Sequence, residues 1–373
     1  MTFPFSCDNF RDMKISRRKT RVIHIGPIAI GGEHPISVQS MTNTETKDVK
    51  ATLNQIEDLE KAGCEIVRIG IPDMISAEEF GEIKSRTKLP LIADIHFDYK
   101  LALKVIEKGA DGLRINPGNI GEKKRVQKVI EAAGKNNVPI RIGVNAGSLE
   151  KSLEQTYEEN IPEAMRMSAL NHIKILEDKG FTDIKISLKA SNVLETIEAY
   201  ELLAQDVDYP FHVGITESGT LFSGTIKSSV GIGILLAKGI GDTIRVSLTS
   251  NPVDEVKAAF EILKALGLRK RGINIISCPT CSRQEIDVIT LASEIEKRLS
   301  GIKKPLDIAV MGCAVNGPGE SKKADFGVAG GKNIGIIYKK GKLIKKVLVE
   351  ANQQKDTLIE NIIQEITRPA KKH

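Results

Sequence analysis

The sequence predicts an α/β protein: a TIM-type (βα)8 barrel followed by a small α+β domain. Three observations predict it. Eight short branched-apolar runs alternate with longer amphipathic stretches over the first 270 residues or so. No G-x-G-x-x-G follows the first run, which disfavours an open doubly wound sheet. After Gly272 the rhythm changes, and three of the five cysteines fall in that last stretch.

The elements follow in order. "VIHIGPIAIGG" reads as a small hairpin that plugs the barrel floor. The strands are "ISVQSM", "EIVRIG", "LPLIADIH", "DGLRINPG", "VPIRIGVN", "DIKISLKAS", "YPFHVGITE" and "DTIRVSLTS". Helical patterns such as "DVKATLNQIEDLEKAG" and "PVDEVKAAFEILKALG" lie between them. Gly63, Gly109, Gly180 and Gly267 follow helices as C-terminal caps. Loops between units read as short, as parallel crossovers require. Beyond Gly272, "INIIS" and "LDIAVMG" read as strands, with "RQEIDVITLASEIEKRL" as a helix between them. "DFGVAG" and "NIGIIYKKGKLIKKVLVE" read as antiparallel strands with "KKGK" as a turn, and "KDTLIENIIQEITR" closes as a helix. The expected domains are an extension with the floor hairpin at 1–30, the barrel at 31–269 and the cysteine-bearing domain at 270–373.

Composition narrows the class. Aromatics make up 4% and tryptophan is absent, which argues against an aromatic nucleic-acid platform. The net charge of +6 sits partly in "KISRRKTR" and "KKGKLIKK" and reads as solvated surface, so no nucleic-acid partner is expected. "CDNFRDMKISRRKTR" is polar where a secretion signal needs an apolar core, and the segment after Arg17 and Arg18 is broken by His24, Gly26 and Pro27. The longest apolar run, "VGIGILLA", is far short of a membrane span. A cytoplasmic protein with no membrane partner is expected. Five cysteines make no secreted disulfide framework. Cys7 and Cys64 stand apart from the late three, and Cys64 reads as a small buried apolar side chain.

The strands end in polar groups that a structural barrel does not need. They are Arg68; Asp94 and His96; Arg114 and Asn116; Arg141 and Asn145; Lys185, Ser187 and Lys189; His212 and Glu217; Arg245 and Ser247. The C-terminal ends of barrel strands line the mouth where such enzymes do chemistry. Any one of these side chains can instead point outward or satisfy a core. Four arginines on near-central strands are harder to dismiss, because buried guanidinium wants a bidentate acid or phosphate. Strand-borne acids are few, chiefly Asp94 and Glu217. An anion with more than one charge fits that imbalance, and diphosphate fits it better than a carboxylate.

The late cysteines are Cys278 and Cys281 in "SCPTCSR", and Cys313 in "MGCAVNGPGE", which also holds Glu320. Structural zinc wants four thiol or imidazole ligands, yet no histidine lies between 213 and 372. A redox dithiol explains Cys278 and Cys281 but leaves Cys313 over. An iron–sulfur cluster takes three thiols and leaves one iron to another ligand. Spacing alone leaves all three open.

Taken together, "SVQSMTNTETKD", "ADIHFDY", "LRINPGNIG", "RIGVNAGSLE", "HVGITESG", "SCPTCSR" and "MGCAVNGPGE" resemble the 4-hydroxy-3-methylbut-2-enyl diphosphate synthase family over nearly the whole chain. The form resembled is the bacterial two-domain one. The resemblance implies a [4Fe-4S] cluster held by Cys278, Cys281, Cys313 and Glu320. It implies reductive ring opening of 2-C-methyl-D-erythritol 2,4-cyclodiphosphate, with flavodoxin or ferredoxin as electron donor. Arg68, Arg114, Arg141, Arg245, Ser247 and Lys189 would cradle the substrate, with Asp94, His96, Asn116 and Asn145 around its hydroxyls. Glu217 is the expected acid, with His212 orienting or assisting. The family's head-to-tail homodimer would set one chain's cluster over the other's barrel. Two rivals remain at this stage: a zinc-stabilised barrel with a basic tail, and a barrel acting on a pterin or sugar phosphate with a structural cluster.

Overall fold

The computed structural model describes residues 15–116, 120, 123–348 and 354–368. Cys7 and part of "LRINPGNIG" lie outside them. The described chain divides into two compact units between Arg269 and Lys270.

The first unit opens on an antiparallel hairpin, β1 (Ile23–Ile25) and β2 (Ile28–Ile30). Ile23, Ile25 and Ile30 are buried against Ile66 and Ile92, which stand near the starts of their strands, so the hairpin closes the barrel floor. Eight strand–helix units follow: β3 (Ser37–Met41) and α1 (Val49–Ala62), β4 (Ile66–Gly70) and α2 (Met74–Ser85), β5 (Leu91–Asp94) and α3 (Tyr99–Glu107), β6 (Gly112–Ile115) and α4 (Lys123–Lys135). Then come β7 (Ile140–Asn145) with α5 (Glu154–Glu159) and α6 (Ile161–Glu177), β8 (Ile184–Lys189) and α7 (Val193–Asp206), β9 (His212–Val213) and α8 (Leu221–Ala237), β10 (Thr243–Ile244) and α9 (Pro252–Ala265). The parallel strands are ordered β8-β7-β6-β5-β4-β3-β10-β9, and a bridge between Ile186 and Phe211 closes the ring.

Alternation along each strand sorts the side chains. Val38, Val67, Ile69, Ala93, Ile142, Val144, Ile186 and Leu188 pack outward against the helices in one large core. Their neighbours in sequence therefore fill the barrel interior, and that set is polar. Asp or Asn side chains start the helices: Asp48, Asp73, Asp98, Asn160, Asn192 and Asn251 each accept a first-turn N–H. The four expected glycine caps all have positive φ.

Two expectations about the first unit need correction. The loop after β7 is not short; it runs through two 3-10 turns and α5 before α6 begins. It is long because it builds a wall of the cavity described below. Strands β9 and β10 are only two residues each, so Arg245 and Ser247 lie beyond the paired strand. A strap of residues 17–21 reinforces that seam. Arg17 pairs with Asp242 at 2.8 Å, and Arg18 stacks on Phe211 at 4.0 Å while donating to Val207 and Tyr209 carbonyls.

The second unit holds β11 (Ile273–Ser277), α10 (Val288–Arg298), β12 (Leu306–Met311), α11 (Gly317–Lys323), β13 (Phe326–Gly331), β14 (Ile334–Lys339), β15 (Lys342–Leu348) and α12 (Gln354–Thr367). Its sheet runs β11-β12-β13-β14-β15, parallel for the first three and antiparallel after. Lys340 and Gly341, both at positive φ, make the expected turn. The helix expected from Arg283 starts at Val288 instead. Asp287 caps it by accepting from Thr290, and residues before it form turns. Val288, Leu291 and Ile295 share a separate core with Ile308, Val328 and Ile362.

Candidate active site

Strand register builds the site. Gly70, Asp94, Arg114, Arg141 and Lys185 stand opposite one another across five adjacent strands, β4 to β8. All face the interior, so one lateral row carries an acid and three cations. Arg114 Nη1 donates to Asp94 Oδ1 at 3.2 Å and lies 3.1 Å from His96 Nδ1; Arg68 Nε is 3.5 Å from Asp94 Oδ2. Burial opposes ionisation of Asp94, but Arg68 and Arg114 outweigh it and hold the carboxyl at about 2. Burial pulls the Arg68 guanidinium down to about 10, against the opposing pull of Asp94.

Three residues that sequence reasoning missed hold this row together. Gly143 is the seat of Arg114: a Cβ there would meet Arg114 Nε at 2.7 Å. Met41 Sδ lies 2.9 Å from Arg68 Nη2 and 3.7 Å from Arg245 Nη1, a soft contact joining two guanidinium groups. Glu255, in the first turn of α9, is buried and accepts from Ser40 Oγ at 2.9 Å and the Leu248 N–H at 3.0 Å. It also pairs with Arg245 at 3.4 Å. Glu255 thus adds a helix-borne acid to the few strand-borne ones, chiefly Asp94 and Glu217. Glu255 was legible as a carboxylate on the apolar face of "PVDEVKAAFEIL", one turn before Ala259.

Even so, cations exceed acids. Arg68, Arg114, Arg141, Lys185, Lys189 and Arg245 face Asp94 and Glu255. Arg141 is 2% exposed, and its Nε and Nη1 have no partner; Lys185 is 1% exposed with Nζ unpartnered. Burial and the neighbouring cations push the Arg141, Lys185 and Lys189 values well below their ordinary ones.

A cavity of about 490 Å3 opens beside the row, lined by Asn145, Tyr157, Lys189, Thr216 and Glu217 among others. Glu217 is exposed there with φ of 52, a left-handed backbone that a non-glycine residue adopts at a cost. Asn116 is buried, while Ser247 is half-buried and its carbonyl accepts from Ser218 Oγ. His212 is not part of the cavity lining. It is fully buried between strands, with Nδ1 2.8 Å from Thr243 Oγ1 and Nε2 unpartnered. Burial, then Arg141 and Lys185, push it well below 6.5, so it is a neutral imidazole.

In the second unit Cys278 follows β11 and Cys313 follows β12, whose ends are in register at Ser277 and Val310. Cys281 is exposed, and the other two are half-buried; all three are free thiols. The Gly312 N–H donates to Cys278 Sγ at 3.2 Å. Glu320 sits in α11, 3.4 Å from Lys323 Nζ. Among the described residues no three His, Cys, Asp or Glu side chains converge to hold a metal ion. The donor set nonetheless suits iron and sulfide: soft thiols on loops leaving one end of a parallel pair, with a carboxylate on the next helix. Cys64 is unrelated; it is buried and its thiol is pushed up to about 12.

The GcpE TIM-barrel domain matches residues 20–260, and the GcpE protein C-terminal domain matches residues 274–368. A Geobacter sulfurreducens protein named 4-hydroxy-3-methylbut-2-en-1-yl diphosphate synthase (flavodoxin) is 61% identical over 331 residues, 89% of this chain and 94% of its own. Proteins of the same name from Lawsonia intracellularis (60%, covering 89% of this chain and 92% of its own) and Caldanaerobacter subterraneus subsp. tengcongensis (58%, 95% and 98%) match likewise.

Proposed function

The chain belongs to the GcpE family, and from that premise we propose that its barrel mouth binds a cyclic diphosphate while its C-terminal domain carries a [4Fe-4S] cluster. The activity is that of a 4-hydroxy-3-methylbut-2-en-1-yl diphosphate synthase, an oxidoreductase of isoprenoid precursor synthesis. The substrate read for it is 2-C-methyl-D-erythritol 2,4-cyclodiphosphate. Two electrons and two protons open the ring and release water, giving the linear allylic diphosphate. The observation that carries the reading is the excess of buried cations over acids in the barrel, with Arg141 and Lys185 unpartnered.

The roles follow from position. Arg68 and Arg114, braced by Asp94, and Arg141 hold phosphate oxygens. Arg245, already paired with Glu255, offers its remaining donors. Lys189 and Asn145 line the cavity beside Glu217, and Asn116, His96 and Ser247 flank the mouth. Glu217 is the acid for the departing oxygen. His212 shapes the barrel as a neutral imidazole and does not carry an ionised proton there. Cys278, Cys281, Cys313 and Glu320 would hold the cluster, which when bound supplies the electrons one at a time. Flavodoxin, part of the relatives' name, is the electron donor of choice.

A homodimer completes the reading. Arg269 is anchored to the Ile36 carbonyl and Glu65, both at the floor end of the barrel strands. Gly272 already belongs to the second unit, through Leu306 N–H. Two residues therefore join the units, and, as the family resemblance implies, we read the cluster of one chain as serving the barrel of the other. Among the described residues no helix is long and apolar enough to cross a membrane, and we read the protein as cytoplasmic.

The test is anaerobic turnover of the cyclodiphosphate with reduced flavodoxin, alongside iron and sulfide analysis. About four irons per chain and loss of both cluster and turnover in Cys281→Ser, but not Cys64→Ser, are expected. Stoichiometric zinc after reconstitution with iron and sulfide would defeat the cofactor reading.

A further inference from the structure

We propose that Lys185 is the charge-regulating residue of this site: an amine that stands uncharged beside Arg141 in the free enzyme and takes up a proton when the diphosphate binds. The proposal rests on the substrate reading above. Lys185 faces inward on β8, directly across from Arg141 on β7. Its Nζ has no hydrogen-bond partner among the described residues. An ammonium so placed would lack both water and a counter-ion.

The groups that face it offer no relief. From β7 comes Arg141, from β4 Arg68, and from β9 His212. Among the described residues, the acid that acts on it is Asp242, ahead of β10. Its oxygens are taken by Arg17 at 2.8 Å, Thr20 at 3.2 Å and the Phe211 N–H at 2.8 Å. Arginine keeps its proton under such crowding, whereas lysine can release one. The row therefore relaxes at Lys185 rather than at Arg141. A bound diphosphate reverses the sign of the local field and draws the proton back. The ammonium then adds its charge to the grip of Arg141. Lys189 differs in kind, because it is half-buried and lines the cavity itself.

Calorimetric titration in buffers of different ionisation enthalpy tests this directly. The protein is the full-length chain as purified, and the titrants are the cyclodiphosphate and, separately, inorganic diphosphate. Wild type is expected to take up protons on binding, and Lys185→Met to take up about one fewer, since one site has been removed. Affinity of wild type should weaken with rising pH by up to about tenfold per pH unit for that proton, and the slope in the variant should be lower by one. The free variant should also melt higher than wild type at neutral pH, by an amount that shrinks as pH rises toward 10.5, where the unfolded lysine no longer holds its proton. Lys185→Gln provides a second isosteric check. Unchanged proton uptake in both variants, or a lower melting temperature for both, would overturn the proposal. Lys185-dependent uptake with inorganic diphosphate but no binding of the cyclodiphosphate would uphold it and sink the substrate reading instead.

Discussion

At the scale of single residues, the site is a matter of seats as much as of charges. Arg114 reaches Asp94 and His96 because residue 143 has no Cβ to occupy the space its guanidinium crosses. Gly143→Ala should therefore mimic Arg114→Leu in substrate binding. Each should lose affinity by up to about 2–5 kcal/mol, the range for breaking a buried charged pair. A dissociation constant near wild type in Gly143→Ala would mean the guanidinium finds another path. His212 yields a pH prediction with a definite sign. Its folded value is pushed well below 6.5, so below pH 6.5 the unfolded chain binds a proton that the folded one refuses. Stability should fall as pH drops from 7 toward 5, at up to about 1.4 kcal/mol per pH unit from this group. Chemical denaturation at several pH values should show a flatter profile for His212→Asn; parallel profiles would refute the assignment. The strand-end cations were legible because period-two spacing puts them in the barrel. Met41 and Gly143 were not read, because their roles lie in the space between elements, which no single strand pattern encodes; Glu255 was legible on the apolar face of its helix, but only a helix pattern shows it.

At the scale of elements, strands and caps were read well because they depend on local chemistry. Branched alternation marks the strands, and the glycines after α1, α3, α6 and α9 mark helix ends. The long loop after β7 was missed because its function is to wall a cavity, and no run of apolar residues announces that. Helix α8 carries a further signal. Phe222, Ile226, Val230 and Ile234 are exposed at four-residue spacing, so they form one apolar stripe along its length. Gly233 beside them leaves room for close approach of another helix. A self-facing stripe of this kind suits a second copy of the chain better than solvent. Ile226→Asp with Val230→Asp should turn the proposed dimer into a monomer by light scattering while leaving the far-ultraviolet dichroism intact. A dimer that persists in that double variant would move the interface elsewhere.

At the scale of the whole molecule, the two units are chemically incomplete apart. The first has cations and an acid but no reductant. The second has the thiols proposed to hold the cluster. The sequence shows both halves, yet not how they meet, since contacts between chains leave no periodicity. Two inactive variants can decide it. Glu217→Gln removes the proposed acid of the barrel, and Cys281→Ser removes a proposed ligand of the cluster. When the two are mixed with subunit exchange, a crossed dimer holds one doubly broken site and one intact site, the latter joining the unaltered barrel of one chain to the unaltered module of its partner. Half the dimers are mixed under random pairing, so recovery should approach about a quarter of the wild-type rate, as expected for independent sites in a two-fold dimer. If each chain closes its own module over its own barrel, every site contains one lesion and no activity returns. Native mass spectrometry of differently tagged chains verifies the exchange. Confirmed heterodimers without activity would rule out the crossed arrangement and require the Lys270–Arg271 link to let the module swing back over its own barrel.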